Sequence, residues 1–107
     1  MTVEEGGPAA TVEVVERSPD ALTIAISGEL DLASVDAVQT AVGDALQDGC
    51  GQLVLDLAGL TFMDSSGIAL MLRTSKEVGS MTVRNVTPIV RRVLEVTGLV
   101  DVLGLDP

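Results

Sequence analysis

Midway along the chain, the run Leu53-Val54-Leu55-Asp56-Leu57-Ala58-Gly59-Leu60-Thr61-Phe62-Met63-Asp64-Ser65-Ser66-Gly67-Ile68 restricts the fold more than any other stretch. Leu53 to Leu57 is short and almost wholly apolar, the pattern of a strand buried on both faces of a sheet. A short turn follows, with Phe62 and Met63 expected in the core. Asp64-Ser65-Ser66-Gly67 then stands where a helix should start, running from about Ser66 to Val78 with Ile68, Met71 and Leu72 inward. Gly79 is expected to stop that helix. A helix start leaves backbone N–H groups without intrahelical partners and carries the positive end of the helix dipole. A serine hydroxyl displayed there can receive a phosphate whose charge the helix end tolerates, and the surface then binds differently.

The flanking pattern completes an α/β chain. Val12 to Arg17 and Ala21 to Ser27 read as strands joined by a turn at Ser18-Pro19-Asp20, the second alternating with Leu22, Ile24 and Ile26 on one face. Gly28-Glu29-Leu30-Asp31 is expected to end it. Ser34 to Leu46 has helical spacing, with Val35, Val38, Val42, Ala45 and Leu46 on one side. Gly43 within it costs about 1 kcal/mol relative to alanine. Asp48-Gly49-Cys50-Gly51 is an exit loop. Met81 to Asn85 is a further strand, and Thr87-Pro88 opens a third helix, threonine as cap and proline in the first turn. Ile89, Val90, Val93 and Leu94 form its apolar stripe, Gly98 ends it, and Leu99 to Leu105 is a final turn or short helix. The order β-β-α-β-α-β-α predicts a mixed β-sheet of four to five strands with helices packed mainly on one face.

A chain of 107 residues with 47% hydrophobic content is expected to form one domain. Residues 1–10, with Gly6-Gly7-Pro8, read as a flexible lead-in, and residues 11–107 as the domain. The N-terminus has Glu4 and Glu5 and no basic region, so no signal peptide is expected, and no run reaches the ~20 apolar residues of a membrane span. A cytoplasmic location follows. The sequence contains no histidine and one cysteine, Cys50. Ser-His-Asp and Cys-His catalysis, a histidine phosphocarrier and a zinc site are all excluded, and no metal or cofactor is expected. An enzyme using Ser65 or Cys50 as nucleophile is further disfavoured because there is no Gly-x-Ser-x-Gly, and no Gly-rich phosphate loop is present. Phe62 is the sole aromatic residue, which leaves no stacking platform for single-stranded nucleic acid. Residues 1–64 hold twelve acidic side chains against Arg17 alone, while residues 65–107 hold four acidic and five basic. The acidic half repels nucleic acid and anionic membranes, so a charged partner should be basic where it docks.

These residues resemble the STAS family, named for sulphate transporters and anti-sigma factor antagonists. Gly28-Glu29-Leu30-Asp31 is similar to the family's Gly-Glu-Leu-Asp after the second strand. Leu55-Asp56-Leu57 through Phe62-Met63-Asp64-Ser65-Ser66-Gly67 is similar to its central strand and Asp-Ser-Ser-Gly signature. Val90-Arg91-Arg92-Val93-Leu94-Glu95-Val96-Thr97-Gly98-Leu99 resembles its C-terminal helix and closing Thr-Gly-Leu. The likeness covers nearly all of the chain after about residue 11.

The resemblance implies a substrate and binding partner rather than a catalyst. In single-domain members an anti-sigma factor serine kinase phosphorylates the first serine of the signature, which is Ser65 here. The unphosphorylated protein binds the kinase and frees its sigma factor, and a serine phosphatase resets the phosphorylated form. Glu29, Asp31, Asp64, Ser65, Ser66 and Gly67 are the expected partner-binding residues, acting as a monomer. Asp31 reads equally as a turn former, and Ser65 as a simple cap, a role Asp64 or Ser66 could fill. Ser66 is expected to hold the motif's geometry, and Gly67 to permit close approach of a partner or a neighbouring backbone. The alternative is an unphosphorylated accessory or scaffold subunit of a larger complex, such as a lipid-transport ATPase or a stress-signalling assembly. Between Gly67 and Thr87 the chain is about four residues, close to one helical turn, shorter than usual in the family.

Overall fold

Two antiparallel strands, joined where Pro19 and Asp20 favour a turn, start the sheet. The computed structural model describes residues 10–47, 49 and 51–99. In it β1 (Thr11–Arg17) pairs with β2 (Ala21–Leu30), and the Ser18 hydroxyl accepts the Ala21 N–H at 3.2 Å across the turn. Leu22, Ile24 and Ile26 of β2 are buried while the intervening Thr23 and Ala25 are half-buried, as the alternation requires. The chain returns through α1 (Val35–Ala45), which buries Val35, Val38, Val42 and Ala45. Next, β3 (Gln52–Asp56) lies parallel to β2, and β5 (Ser80–Arg84) parallel to β3. The main sheet order is β1-β2-β3-β5.

One strand is absent from the expected order. Where only a turn was expected, Leu60 to Met63 form β4, which pairs in parallel with the far end of β2: Gly28 with Leu60, Glu29 with Phe62, Leu30 with Met63. Its burial runs buried, exposed, exposed, buried, so no period of two betrays it. The same pairing corrects the expected end of β2, because Gly28 to Leu30 extend that strand rather than terminate it. Gly28 takes φ 94°, which a side chain would resist, and the register shifts between it and Glu29. Its N–H donates to the Gly59 carbonyl at 2.9 Å.

The core collects Leu22, Ile24, Ile26, Leu53, Leu55 and Val83 from the sheet against apolar residues of the helices, so the helices cover one face. Val54 is also buried although it lies outside this cluster, between Thr23 and Thr82 on the neighbouring strands. Thus β3 is buried on both sides, as its composition indicates.

The remaining elements are α2 (Ser65–Glu77) and α3 (Pro88–Val96). Met63 is in the core as expected, but Phe62 is 43% exposed, because the register shift leaves Thr61 as an extra residue opposite β2, so Phe62 does not follow Leu60 inward and only Met63 packs beside Leu30 and Gly67. Ile89 is 60% exposed and leaves the expected stripe of α3. Val90 and Leu94, one turn apart, take the sealed positions, and roughly 100° per residue puts Ile89 on the flank. Thr87 occupies the cap position but does not cap: its hydroxyl donates to the Leu60 carbonyl at 3.0 Å and ties α3 to β4.

The helix α2 stops just before Gly79 as expected, but through an extended Val78 and not through a left-handed glycine. A β-carbon at Gly79 would lie 2.5 Å from the Gly51 carbonyl oxygen, so the position needs glycine for close approach. Gly98 does end α3 as expected, at φ 75°, with Gly98 N–H to Glu95 O at 3.1 Å and Leu99 N–H to Leu94 O at 2.9 Å. A β-carbon added at Gly43 would meet nothing within 4 Å, so packing does not require glycine there and its cost to α1 is entropic. Among the described residues no helix is long and apolar enough to cross a membrane. Residues 1–9 of the lead-in, Cys50, and the final turn beyond Leu99 lie outside the described residues.

Candidate functional site

The strand β4 delivers the chain to Asp64 with an extended backbone, φ −110° and ψ −168°, and the helix begins at the next residue. That conformation suits an N-cap, and Asp64 fills the role. Its carboxylate accepts the Ser66 N–H at 2.9 Å and also the Ser66 hydroxyl. The other carboxylate oxygen accepts the Leu32 N–H at 3.3 Å, and the Asp64 N–H donates to the Leu30 carbonyl at 3.2 Å. One residue therefore joins the start of α2, the end of β2 and the turn that follows it.

The Ser66 hydroxyl is the main reason the Asp64 carboxyl stays below its usual range. Partial desolvation opposes it, and the backbone N–H groups of Ser66, Gly67 and Leu32 reinforce it. A carboxylate with a depressed folded-state pKa adds stability that is present above its unfolded value and lost as pH falls through the folded one. Wild type should therefore exceed Asp64→Asn in unfolding midpoint above about pH 5, with the gap closing in more acid solution. Parallel thermal melts of the two proteins across pH would measure this, and a gap that ignores pH would contradict it.

With Asp64 capping, Ser65 is released from that duty. It is the first residue of α2, exposed, and its hydroxyl bonds to no described residue. Ser66 is half-buried and spends its hydroxyl on Asp64, in keeping with the expected geometric role. Gly67 is buried: a β-carbon would stand 2.6 Å from Met63 Cγ and 2.9 Å from Leu30 Cγ. The close approach it permits is to this chain's own side chains, which seat the first turn of α2 on β2 and β4.

Glu29 and Asp31 lie beside this helix start. Glu29 is half-buried opposite Phe62 in the β2–β4 register. Asp31 is a turn former: its carboxylate accepts the Ala33 and Ser34 N–H groups, both at 3.1 Å. Ser34 answers by accepting the Asp31 N–H at 3.1 Å and donating its hydroxyl to the Glu29 carbonyl at 2.7 Å. This reciprocal arrangement is a capping box, and it begins the helical path at Asp31, before α1 proper. Neither Ser34 nor Leu32 was singled out from sequence, although the Asp31-x-x-Ser34 spacing carries the signal for the former. Leu32 enters the site through its backbone N–H, which no side-chain pattern reveals.

Asp64, Asp31 and Glu29 together make the surroundings of Ser65 acidic. Among the described residues no group of three His, Cys, Asp or Glu side chains is placed to hold a metal ion. Arg73 of α2 donates to Gln39 Oε1 on α1 at 2.9 Å.

A mixed sheet with helices on one face, and a strand-turn-helix unit displaying Asp-Ser-Ser-Gly, define a STAS domain. The chain belongs to this family, whose model matches residues 13–107. Domains of this family are regulatory and non-catalytic. Among solved structures, the chain is similar to an anti-sigma factor antagonist from Mycobacterium paratuberculosis, with 29% identity, TM-score 0.82, and coverage of 92% of this chain and 86% of that one. It is also similar to the anti-sigma factor antagonist SpoIIAA in its unphosphorylated form, with 28% identity, TM-score 0.71, and coverage of 92% and 88%. For the Bacillus cell fate determinant SpoIIAA in the phosphorylated form the identity is 27% and the TM-score 0.64, with coverage of 92% and 91%. No match was found among curated proteins.

Proposed function

We propose that this chain is a cytoplasmic anti-sigma factor antagonist, with residues 11–107 as its working unit. Unphosphorylated, it binds an anti-sigma factor serine kinase and releases the sigma factor. Phosphorylation of Ser65 ends that binding, and a serine phosphatase restores it. The observation that carries this reading is the division of labour at the helix start: Asp64 does the capping and Ser65 stands exposed with an uncommitted hydroxyl. The structures it resembles include an antagonist in both unphosphorylated and phosphorylated forms, which supports the same reading.

The serine needs no activation from its own chain, because a kinase brings the base, ATP and magnesium. The added group carries ≈ −1.5 to −2 charge at neutral pH, and the positive end of the α2 dipole offsets part of it although Asp64 already holds the first N–H groups. The fold survives, and the interface bears the change. A kinase that has just transferred a phosphoryl group holds nucleotide phosphates next to the new phosphoserine, so bulk and like charge both push the partners apart.

The test is incubation with a neighbouring-gene kinase, ATP and magnesium, followed by mapping of the phosphate by mass spectrometry. One phosphate on Ser65 is expected. Thr61 and Ser75 are competing acceptors, but their hydroxyls already donate to the Gly28 carbonyl at 3.0 Å and the Leu72 carbonyl at 2.8 Å. Phosphate on either of them with Ser65 untouched would overturn the proposal. Neighbouring genes for a transporter ATPase and permease would favour the scaffold role instead.

A further inference from the structure

Leu32 is 77% exposed, a large aliphatic side chain in the turn between β2 and α1. A lone exposed leucine is ordinary on a protein surface, but this one is held from both sides. Its N–H is bonded to Asp64, while Asp31 and Ser34 on either side are locked by their reciprocal bonds. The backbone that carries it is therefore ordered before any partner arrives, and binding through it forfeits little conformational entropy. Around it stand the acids Glu29, Asp31 and Asp64 and the half-exposed Phe62, opposite Glu29 in register. A preorganised apolar projection inside a rim of one charge is suited to an apolar pocket bordered by the opposite charge.

The geometry points to Leu32 as the apolar anchor of the kinase interface, entering a pocket bordered by lysine or arginine on the partner. This rests on the function proposed above and adds to it the residue that supplies affinity and selects the partner. The kinase takes its hold on a leucine that carries no phosphate, and the phosphate at Ser65 acts from beside that hold.

The test is the affinity of the full chain for the neighbouring-gene kinase, measured by calorimetry on wild type, Leu32→Ala, Leu32→Met and Val15→Ala. Val15 is 56% exposed on β1, next to the start of β2 and away from the end that leads to Leu32. Leu32→Ala should weaken binding about tenfold or more. Leu32→Met, of similar volume, should stay within about threefold of wild type, and Val15→Ala should match it. Leu32 is exposed, so thermal melts of all four proteins should agree within a few degrees. Leu32→Ala binding as tightly as wild type would overturn the anchor while the switch at Ser65 stands. A loss with Val15→Ala as large as with Leu32→Ala would also overturn it, since the effect would not be local. Wild type that does not bind the kinase at all would bring down both the anchor and the proposed function.

Discussion

Ser65→Asp is expected to lower affinity for the anti-sigma kinase by about a hundredfold or more, while the thermal midpoint stays within a few degrees of wild type. The two halves of this expectation come from the same geometry. Ser65 is exposed and bonds to no described residue, so its replacement breaks nothing inside the domain. A carboxylate at the first helical position lies at the positive end of the dipole but beside the Asp64 carboxylate, which already holds the Ser66 N–H, so the two effects on the fold oppose each other and the net change is small. The cost is expected in the proposed complex, where the new charge would face the kinase's nucleotide phosphates. Ser65→Ala should fold equally well and keep binding, since it removes only a hydroxyl. Calorimetric titration of the three proteins against one kinase measures the prediction. Tight binding by Ser65→Asp would contradict the proposed switch.

Gly67→Ala is expected to destabilise the domain by about 1–3 kcal/mol. Helix propensity alone argues the reverse, since alanine exceeds glycine by about 1 kcal/mol in a helix. Packing decides the sign. A β-carbon at Gly67 would lie 2.6 Å from Met63 Cγ and 2.9 Å from Leu30 Cγ, and both neighbours are buried. Neither can swing into solvent, so the first turn of α2 must lift from the sheet. For a domain of this size each kcal/mol lost lowers the midpoint by about 4–8 °C. The steric origin can be isolated with Leu30→Ala, which opens space under the helix at a cost of about 2–5 kcal/mol. In that background Gly67→Ala should cost less than it does alone. Denaturant unfolding of both single variants and the double variant gives the coupling, and strictly additive losses would show that the contact is not the cause.

The parts of the fold legible in the sequence were those with a full period. The alternation of Leu22, Ile24 and Ile26, the continuous Leu53–Leu57 run, and the Pro88 start and Gly-Leu end of α3 each carry a local physical signal that survives in the structure. β4 was not legible, because four residues with Leu60 and Met63 buried and Thr61 and Phe62 exposed follow neither period. Its existence is a tertiary fact, created by pairing with Gly28 to Leu30. Phe62 and Ile89 failed for a related reason: hydrophobicity suggests burial, but the direction of each side chain depends on how its element is seated. At the candidate site the residue types were legible and the assignment of tasks was not. Asp64, Ser65 and Ser66 all have side chains that can cap, and only the folded backbone distributes the work, with Asp64 accepting, Ser66 donating and Ser65 left over.

The hydroxyl of Thr87, bonded to the Leu60 carbonyl instead of to its own helix, gives the proposed switch a fixed footing. The strand leading to the serine is clamped between β2 and the opening turn of α3. It cannot fray at one border without disturbing the other. Enzymes acting on Ser65 as proposed would meet the same handle at the same angle, mounted on a bracket built from β2 and α3.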